Sequence, residues 1–163
     1  MSKVSGEERG ATGMKKEMDP RMHSAEHLLN QTMVRMFNCG RCFSSHIEKK
    51  KSKCDYHFEC APKEEEIGEI QKRVNHVIQA DLAVTEEYVN RGEAKERYNL
   101  DRLPEDAGDP IRIIKIGDYD TCPCIGPHVH STKEIGGFRI VSTDFENGVL
   151  RVRYKLDKSE QQQ

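Results

Sequence analysis

Tryptophan is absent from this chain of 163 residues, and phenylalanine and tyrosine together make up only 6% of it. No apolar run approaches the eighteen or so residues that span a bilayer, which argues against a transmembrane protein. The first twenty residues contain no apolar segment between a basic start and a cleavage site, so they do not read as a secretory leader. A formal charge of -2 leaves no bulk field to attract nucleic acid, and an RNA partner would have to be held by a local basic patch. With 35% hydrophobic and 33% charged residues and a mean hydropathy of -0.81, the chain is polar, yet not depleted enough to be disordered throughout. Its size suits one modest core rather than two large ones.

A reducing cytoplasm is the expected setting. There the six cysteines, Cys39, Cys42, Cys54, Cys60, Cys122 and Cys124, read as thiols or metal ligands rather than disulfides.

Two short motifs about a hundred residues apart carry the chemistry: HSAEH at residues 23–27 and CIGPH at residues 124–128. His23 and His27 are spaced i, i+4, which puts both rings on one face of a helix. Cys124 and His128 lie in a Pro/Gly-rich stretch that can bend to meet them. Three imidazoles and one thiolate form a set able to close around a zinc ion. Cys122 and His130 flank the second motif and are alternative donors.

Taken alone, HSAEH also fits the inverted zincin pattern, with Glu26 as general base. It resembles the HxxEH helix of S-ribosylhomocysteine lyases as well, and two surface histidines without a shared ligand are the bland alternative. A second metal site built from the CGRC stretch with Cys54, His57 and Cys60 is the less favoured reading, against Cys42 and Cys54 as small buried residues. The lysine-rich stretch at residues 49–53 reads as a solvated hairpin tip, and as the best phosphate-contacting candidate if the partner is RNA.

The pattern of elements predicts one domain over residues 19–157, between a loose arm at residues 1–18 and a disordered tail at 158–163. A helix should start at Asp19-Pro20, an acidic cap followed by proline in the first turn, and end at Asn38 and Gly40. A hairpin is expected from residues 42–48 and 54–61, then a second helix opened by Glu64, Glu65 and Glu66. Further expectations are a strand at residues 82–88, a short helix at 92–97 and a buried strand at 111–116. A turn-rich CPCIGPH segment follows. Strands at 137–142 and 149–156 are joined by Asn147-Gly148, a strong hairpin signal.

HSAEHLL, followed by IGDYDTCPCIGPHVHSTKEIGGFRIVS, resembles the editing domain shared by alanyl- and threonyl-tRNA synthetases and by free-standing alanyl-tRNA editing proteins of the AlaX type. The similarity runs over about residues 22–156. It includes residues 132–136, similar to the family's TGEIG signature, and the helix EEEIGEIQKRVNHVI. The resemblance implies an α+β fold, with an antiparallel sheet packed against two main helices, and hydrolysis of the ester between a wrong amino acid and the terminal ribose of tRNA.

It also implies Zn2+ held by His23, His27, Cys124 and His128, and a misacylated tRNA as partner, with serine- or glycine-charged alanine tRNA as the expected substrate. The short stretch before the first motif points to the free-standing class. Gly126-Pro127-His128 is closer to the threonyl-type ending of the second motif. Where alanyl-type hairpins often carry Gln near Gly-Ser, this chain has CFSSH, which makes Ser45 the candidate substrate contact. Zinc-bound water is the candidate nucleophile. Four protein ligands, however, make the closed tetrahedron of a structural site, whereas catalytic zinc usually keeps one position open.

Overall fold

The computed structural model of the chain describes residues 18–157; the expected tail, and the expected arm except Met18, lie outside them. Helix α1 runs Pro20–Phe37 and α2 runs Glu64–Gln79. The Asp19 carboxylate accepts from the amides of Arg21 and Met22 at 2.8 and 3.2 Å, which satisfies amides that have no partner inside the helix. Asn38, in the left-handed region at φ 56°, closes it by donating its amide to the Val34 carbonyl. Glu66 accepts from the Lys63 amide at 2.8 Å, and three acids in the first turn of α2 favour its positive end.

Seven strands form two antiparallel sheets. Strands β1 (Ser44–His46), β2 (Ser52–His57), β6 (Phe138–Glu146) and β7 (Val149–Leu156) make the first, in the order β1-β2-β7-β6. Strands β3 (Val84–Val89), β4 (Ile111–Ile116) and β5 (Asp120–Pro123) make the second, in the order β3-β4-β5. A short helix α3, Arg91–Arg97, precedes β4, and a 3-10 turn spans Thr132–Ile135. The α+β class holds, with the sheet divided in two.

The inner face of the first sheet meets both main helices. Leu28, Leu29 and Met33 of α1, Ile70, Val74 and Ile78 of α2, and Tyr56, Val152 and Tyr154 of the sheet are all buried in one core. Truncating any of these large aliphatic side chains to Ala costs about 2–5 kcal/mol. Tyr154 donates to the Met22 carbonyl at 3.0 Å, and Tyr56 donates to Asn30 Oδ1 at 2.7 Å. The same Asn30 oxygen accepts from the Cys42 amide at 3.1 Å, so α1 is fastened to the hairpin β1–β2. Along edge strand β6, Asn75 exchanges two hydrogen bonds with the Phe138 backbone, and Gln71 Oε1 accepts from the Ile140 amide. The helix thereby occupies backbone groups that an edge strand otherwise leaves open.

Several boundaries differ from the sequence reading. The hairpin strands are shorter, because the Ser52 hydroxyl accepts from the Glu48 amide and donates to the Glu48 carbonyl, which closes the tip and leaves Ser52 and Lys53 in β2. That strand ends at His57, where the Phe58 amide turns to the Gly148 carbonyl. The third strand begins at Val84 rather than residue 82, since the Leu82 amide is taken by Thr132 Oγ1. Helix α3 begins one residue earlier, at Arg91, under the Asn90 cap. The sixth strand extends to Glu146, and Asn147-Gly148 forms the expected turn with φ of 53° and 78°. Strand β5 was read as turn; it pairs with β4 from Asp120 opposite Ile116 to Pro123 opposite Ile113. Among the described residues, no helix is long and apolar enough to cross a membrane.

Candidate metal centre

Helix α1 and the loop after β5 bring four donors together. His23, His27, Cys124 and His128 each offer a ligand atom, and these atoms lie within 4.8 Å of one another. The i, i+4 spacing on α1 sets the His23 and His27 rings edge to face at 5.0 Å, and His128 stacks on His23 at 4.1 Å. The His23 and His27 residues are buried at 5% and 3% exposure. Cys122 points elsewhere, its sulfur bonding to the Pro123 carbonyl, and burial pushes its thiol up to about 12. His130 is exposed and lies outside the cluster.

Each imidazole turns its Nδ1 toward a polar group of the protein. His23 Nδ1 donates to the Pro127 carbonyl at 2.9 Å; a carbonyl only accepts, so the lone pair belongs to Nε2, which lies 3.2 Å from Cys124 Sγ. His27 Nδ1 faces Asp120 Oδ2 at 3.4 Å. His128 Nδ1 meets Ser24 Oγ at 2.9 Å, and that oxygen also accepts from the Val129 amide at 3.2 Å. His27 Nδ1, which approaches Asp120 without forming a hydrogen bond, is buried without a hydrogen-bond partner among the described residues, and so is His128 Nε2. A buried polar atom without a partner calls for an explanation, and a ring nitrogen aimed among two imidazoles and a thiol is what a metal-ligating histidine presents.

Electrostatics agree with that donor set. Burial lowers the pKa of His23 and His128, keeping both rings neutral and able to donate lone pairs. Burial is the largest influence on His27 and works against its charge, but Asp120 and Cys124 together outweigh it and raise that pKa. Asp120 is itself buried, which opposes its ionisation. His27 and the Arg41 guanidinium, which donates to it at 2.7 and 3.2 Å, hold it well below the usual carboxylate range. Gln31 Nε2 donates to the same carboxylate at 2.7 Å.

The loop between the donors is fixed by Arg112, which donates to the carbonyls of Cys124 and Gly126 at 3.2 and 2.7 Å. Glycine is required at 126, since a Cβ there would lie 2.4 Å from His23 Cε1. Gly126 and Pro127 therefore seat His23, one by its missing side chain and the other by its carbonyl.

Glu26 is buried at 5% exposure, with Oε1 at 3.7 Å from His23 Nε2 and Oε2 accepting from Cys42 Sγ at 3.4 Å. Cys42 and Cys54 are buried beside it, whereas Cys60 and His57 are exposed. The bland reading of that cysteine pair holds to this extent: both are buried free thiols in the hairpin. Arg102 reaches over them, donating to the Cys42 carbonyl at 2.9 Å and to Ser45 Oγ at 3.4 Å, and lying 3.9 Å from Glu26. Ser45, opposite Cys54 in the hairpin, is thus joined through Arg102 to the carboxylate beside His23. Sequence reasoning missed Ser24, Arg41, Arg102, Arg112 and Asp120. Only Ser24, inside the first motif, and Asp120, four residues before the second, sat where a search for supporting groups could have started.

Comparison with known proteins gives the same direction. The profile of the family described as threonyl and alanyl tRNA synthetase second additional domain matches residues 111–152, from β4 through the CIGPH loop into β7. The alanine–tRNA ligase of Leptospira biflexa serovar Patoc (strain Patoc 1 / Ames) is 36% identical over 126 residues, 73% of this chain and 13% of that protein. The alanine–tRNA ligase of Coxiella burnetii (strain Dugway 5J108-111) is 36% identical over 124 residues, 75% and 14% respectively. That of Clostridioides difficile (strain 630) is 34% identical over 131 residues, 79% and 14%. The chain spans about one seventh of the length of these ligases. These similarities relate the chain to the alanyl- and threonyl-tRNA synthetases through their second additional domain, the editing domain to which its motifs pointed.

Proposed function

We propose that the chain is a trans-editing aminoacyl-tRNA deacylase of the cytoplasm, with a single editing domain over residues 19–157 that hydrolyses the ester of misacylated tRNA. The expected substrate is alanine tRNA charged with serine or glycine. The observation that carries this reading is the convergence of His23, His27, Cys124 and His128 on one point, in a chain related to alanine–tRNA ligases. The donor set, three imidazole nitrogens and one sulfur, suits Zn2+. A zinc ion held there supplies Lewis-acid polarisation of an ester carbonyl oxygen and acidifies water.

The protein's own groups have separable tasks. Pro127, Asp120 and Ser24 orient the three rings, and Arg112 fixes the loop. Ser45 contacts the substrate on the hairpin side in this reading, which its tether to Arg102 supports. A metalloenzyme using HxxEH with a ligand unrelated to CIGPH has less support, because the second motif supplies two donors to the cluster.

The test is a deacylation panel of charged tRNAs, run with zinc-loaded and metal-free protein. Release of serine or glycine from alanine tRNA, with alanine left in place, is the expected result, and His128→Ala should lose both metal and turnover. Protein that retains one zinc per chain yet releases no amino acid from any charged tRNA would sink the enzyme reading and leave a zinc-containing binding module.

A further inference from the structure

The first sheet has a second face, turned away from α1 and α2. Side chains alternate along strands, and residues paired across strands share a face. The register joins His46, Lys53, Arg153 and Ser142 in one row, and Ser44, Asp55, Arg151 and Asp144 in the next, with Lys155 opposite Arg139 beyond them. The strands place five cations on this face, Lys53, Arg139, Arg151, Arg153 and Lys155, against four carboxylates, Asp55, Asp144, Glu146 and Asp157, with Arg153 paired to Asp144 at 2.7 Å and Arg139 to Asp157 at 3.8 Å. The chain as a whole carries -2, so positive charge is concentrated here. Asp55 alone serves two cations, Arg151 at 2.8 Å and Lys53 at 2.9 Å, which leaves one positive charge in excess at a fixed position. Lys49, Lys50 and Lys51 extend the basic strip, exposed at the hairpin tip.

An aromatic pair completes the surface. His57 lies on the same face by strand alternation, and Phe43 stacks on it with ring centroids 4.1 Å apart and planes inclined by 15°. Phe43 is 42% exposed, one of three large hydrophobic side chains exposed among the described residues. A basic sheet face beside an exposed aromatic platform is the combination that holds a phosphate backbone and stacks an unpaired base. The other two exposed hydrophobics, Tyr88 and Ile125, line a cleft of about 560 Å3. The one charged residue lining that cleft, Arg112, is already engaged by Glu86 and by the carbonyls of Cys124 and Gly126, which makes the cleft a poorer match for RNA.

We propose that this outer sheet face, from the Lys49–Lys51 tip through Lys53, Arg153 and Lys155 to the Phe43–His57 pair, is an RNA-docking surface. The proposal rests on the tRNA substrate proposed above and names how that substrate is held. The hairpin serves both ends of the task, because its inner face carries Ser45 and Cys54 beside the metal centre while its outer face carries the basic rows. RNA lying on the outer face reaches the centre by passing over edge strand β1, where Phe43 stands.

The test is binding of uncharged alanine tRNA by filter retention across a salt series, with the full chain and its metal in place. Arg153→Glu with Lys155→Glu is expected to weaken binding at least tenfold and to make the log–log salt dependence shallower by about 2. Phe43→Ala is expected to weaken it about tenfold with the salt dependence unchanged. The control reverses the same charge elsewhere, Lys72→Glu with Lys95→Glu, and should bind nearly as the parent does. Zinc content and melting temperature, read on every variant, identify any that fail to fold, and Arg153→Gln with Lys155→Gln then replaces the reversal. Equal loss in the control, or unchanged affinity in the face variants, overturns the surface. Failure to deacylate with this binding pattern intact overturns the enzymatic reading and leaves the surface standing.

Discussion

Gly126 lies against the His23 ring so closely that a single added methyl group would sit 2.4 Å from Cε1 and 2.8 Å from Nδ1. Neither partner has room to yield, since the ring is stacked on His128 and the loop backbone is held by Arg112. Gly126→Ala is expected to cost about 1–3 kcal/mol through overpacking and, on the proposed zinc site, to lower metal content by displacing His23. Thermal melting together with metal content per chain checks this. Full zinc occupancy at parental stability would show that the loop is more pliable than its contacts indicate.

Ser24 carries two contacts that no neighbouring side chain can replace, to His128 Nδ1 and to the Val129 amide. Ser24→Ala should therefore lower zinc affinity about 10–100-fold, the usual effect of removing a group that orients a ligand. Chelator competition measures it. Ser24→Thr keeps the hydroxyl and is expected to retain much of the affinity.

Replacing Asp120 with Asn leaves the Arg41 guanidinium without its counter-charge. Asp120 is fully buried and Arg41 partly so, and the loss is expected at about 3 kcal/mol. Urea unfolding of the metal-free protein isolates this effect from zinc binding. A change below 1 kcal/mol would mean that Arg41 finds water instead.

Asp55 gives the acid dependence. Hydrogen bonds from Arg151, and then from Lys53, hold its carboxyl below the usual range. Its contribution is therefore complete above the unfolded pKa of about 3.9 and disappears as pH falls through the lower folded value. Asp55→Asn should be less stable than the parent at neutral pH, and the gap should close below about pH 4. Chemical unfolding at a series of pH values tests the sign, and a gap that widens in acid contradicts it.

What could be read from the sequence was what the chain declares locally. The start of α1 follows from Asp19 and Pro20, its end from Asn38, and the last hairpin from Asn147-Gly148; each signal lies within a few residues of the structure it specifies. The i, i+4 histidines belong to the same class, as a helix fixes their relative direction without help from the rest of the chain. Strand β5 was illegible because two prolines bracket Cys124 and Pro123 itself ends the strand, so its pairing depends on β4 and not on its own pattern. The supporting groups were hidden for a related reason. Arg41 meets Asp120, and Ser24 meets His128, over 79 and 104 positions, and nothing near either residue announces the other. The Gly126-Pro127 pair, closer to the threonyl-type ending of the motif, has a structural task as well, the seating of His23.

The four donors are shared equally between two distant stretches of chain, His23 and His27 near one end and Cys124 and His128 near the other. Neither half holds more than two of them. A cut in the exposed loop around residues 104–109 would leave each fragment with an incomplete claim on the ion, and only reassembly would restore the set. On the proposed zinc site, metal capture would report that the two halves of the molecule have found one another, and a zinc-sensitive dye would make the joining visible without a label on either piece.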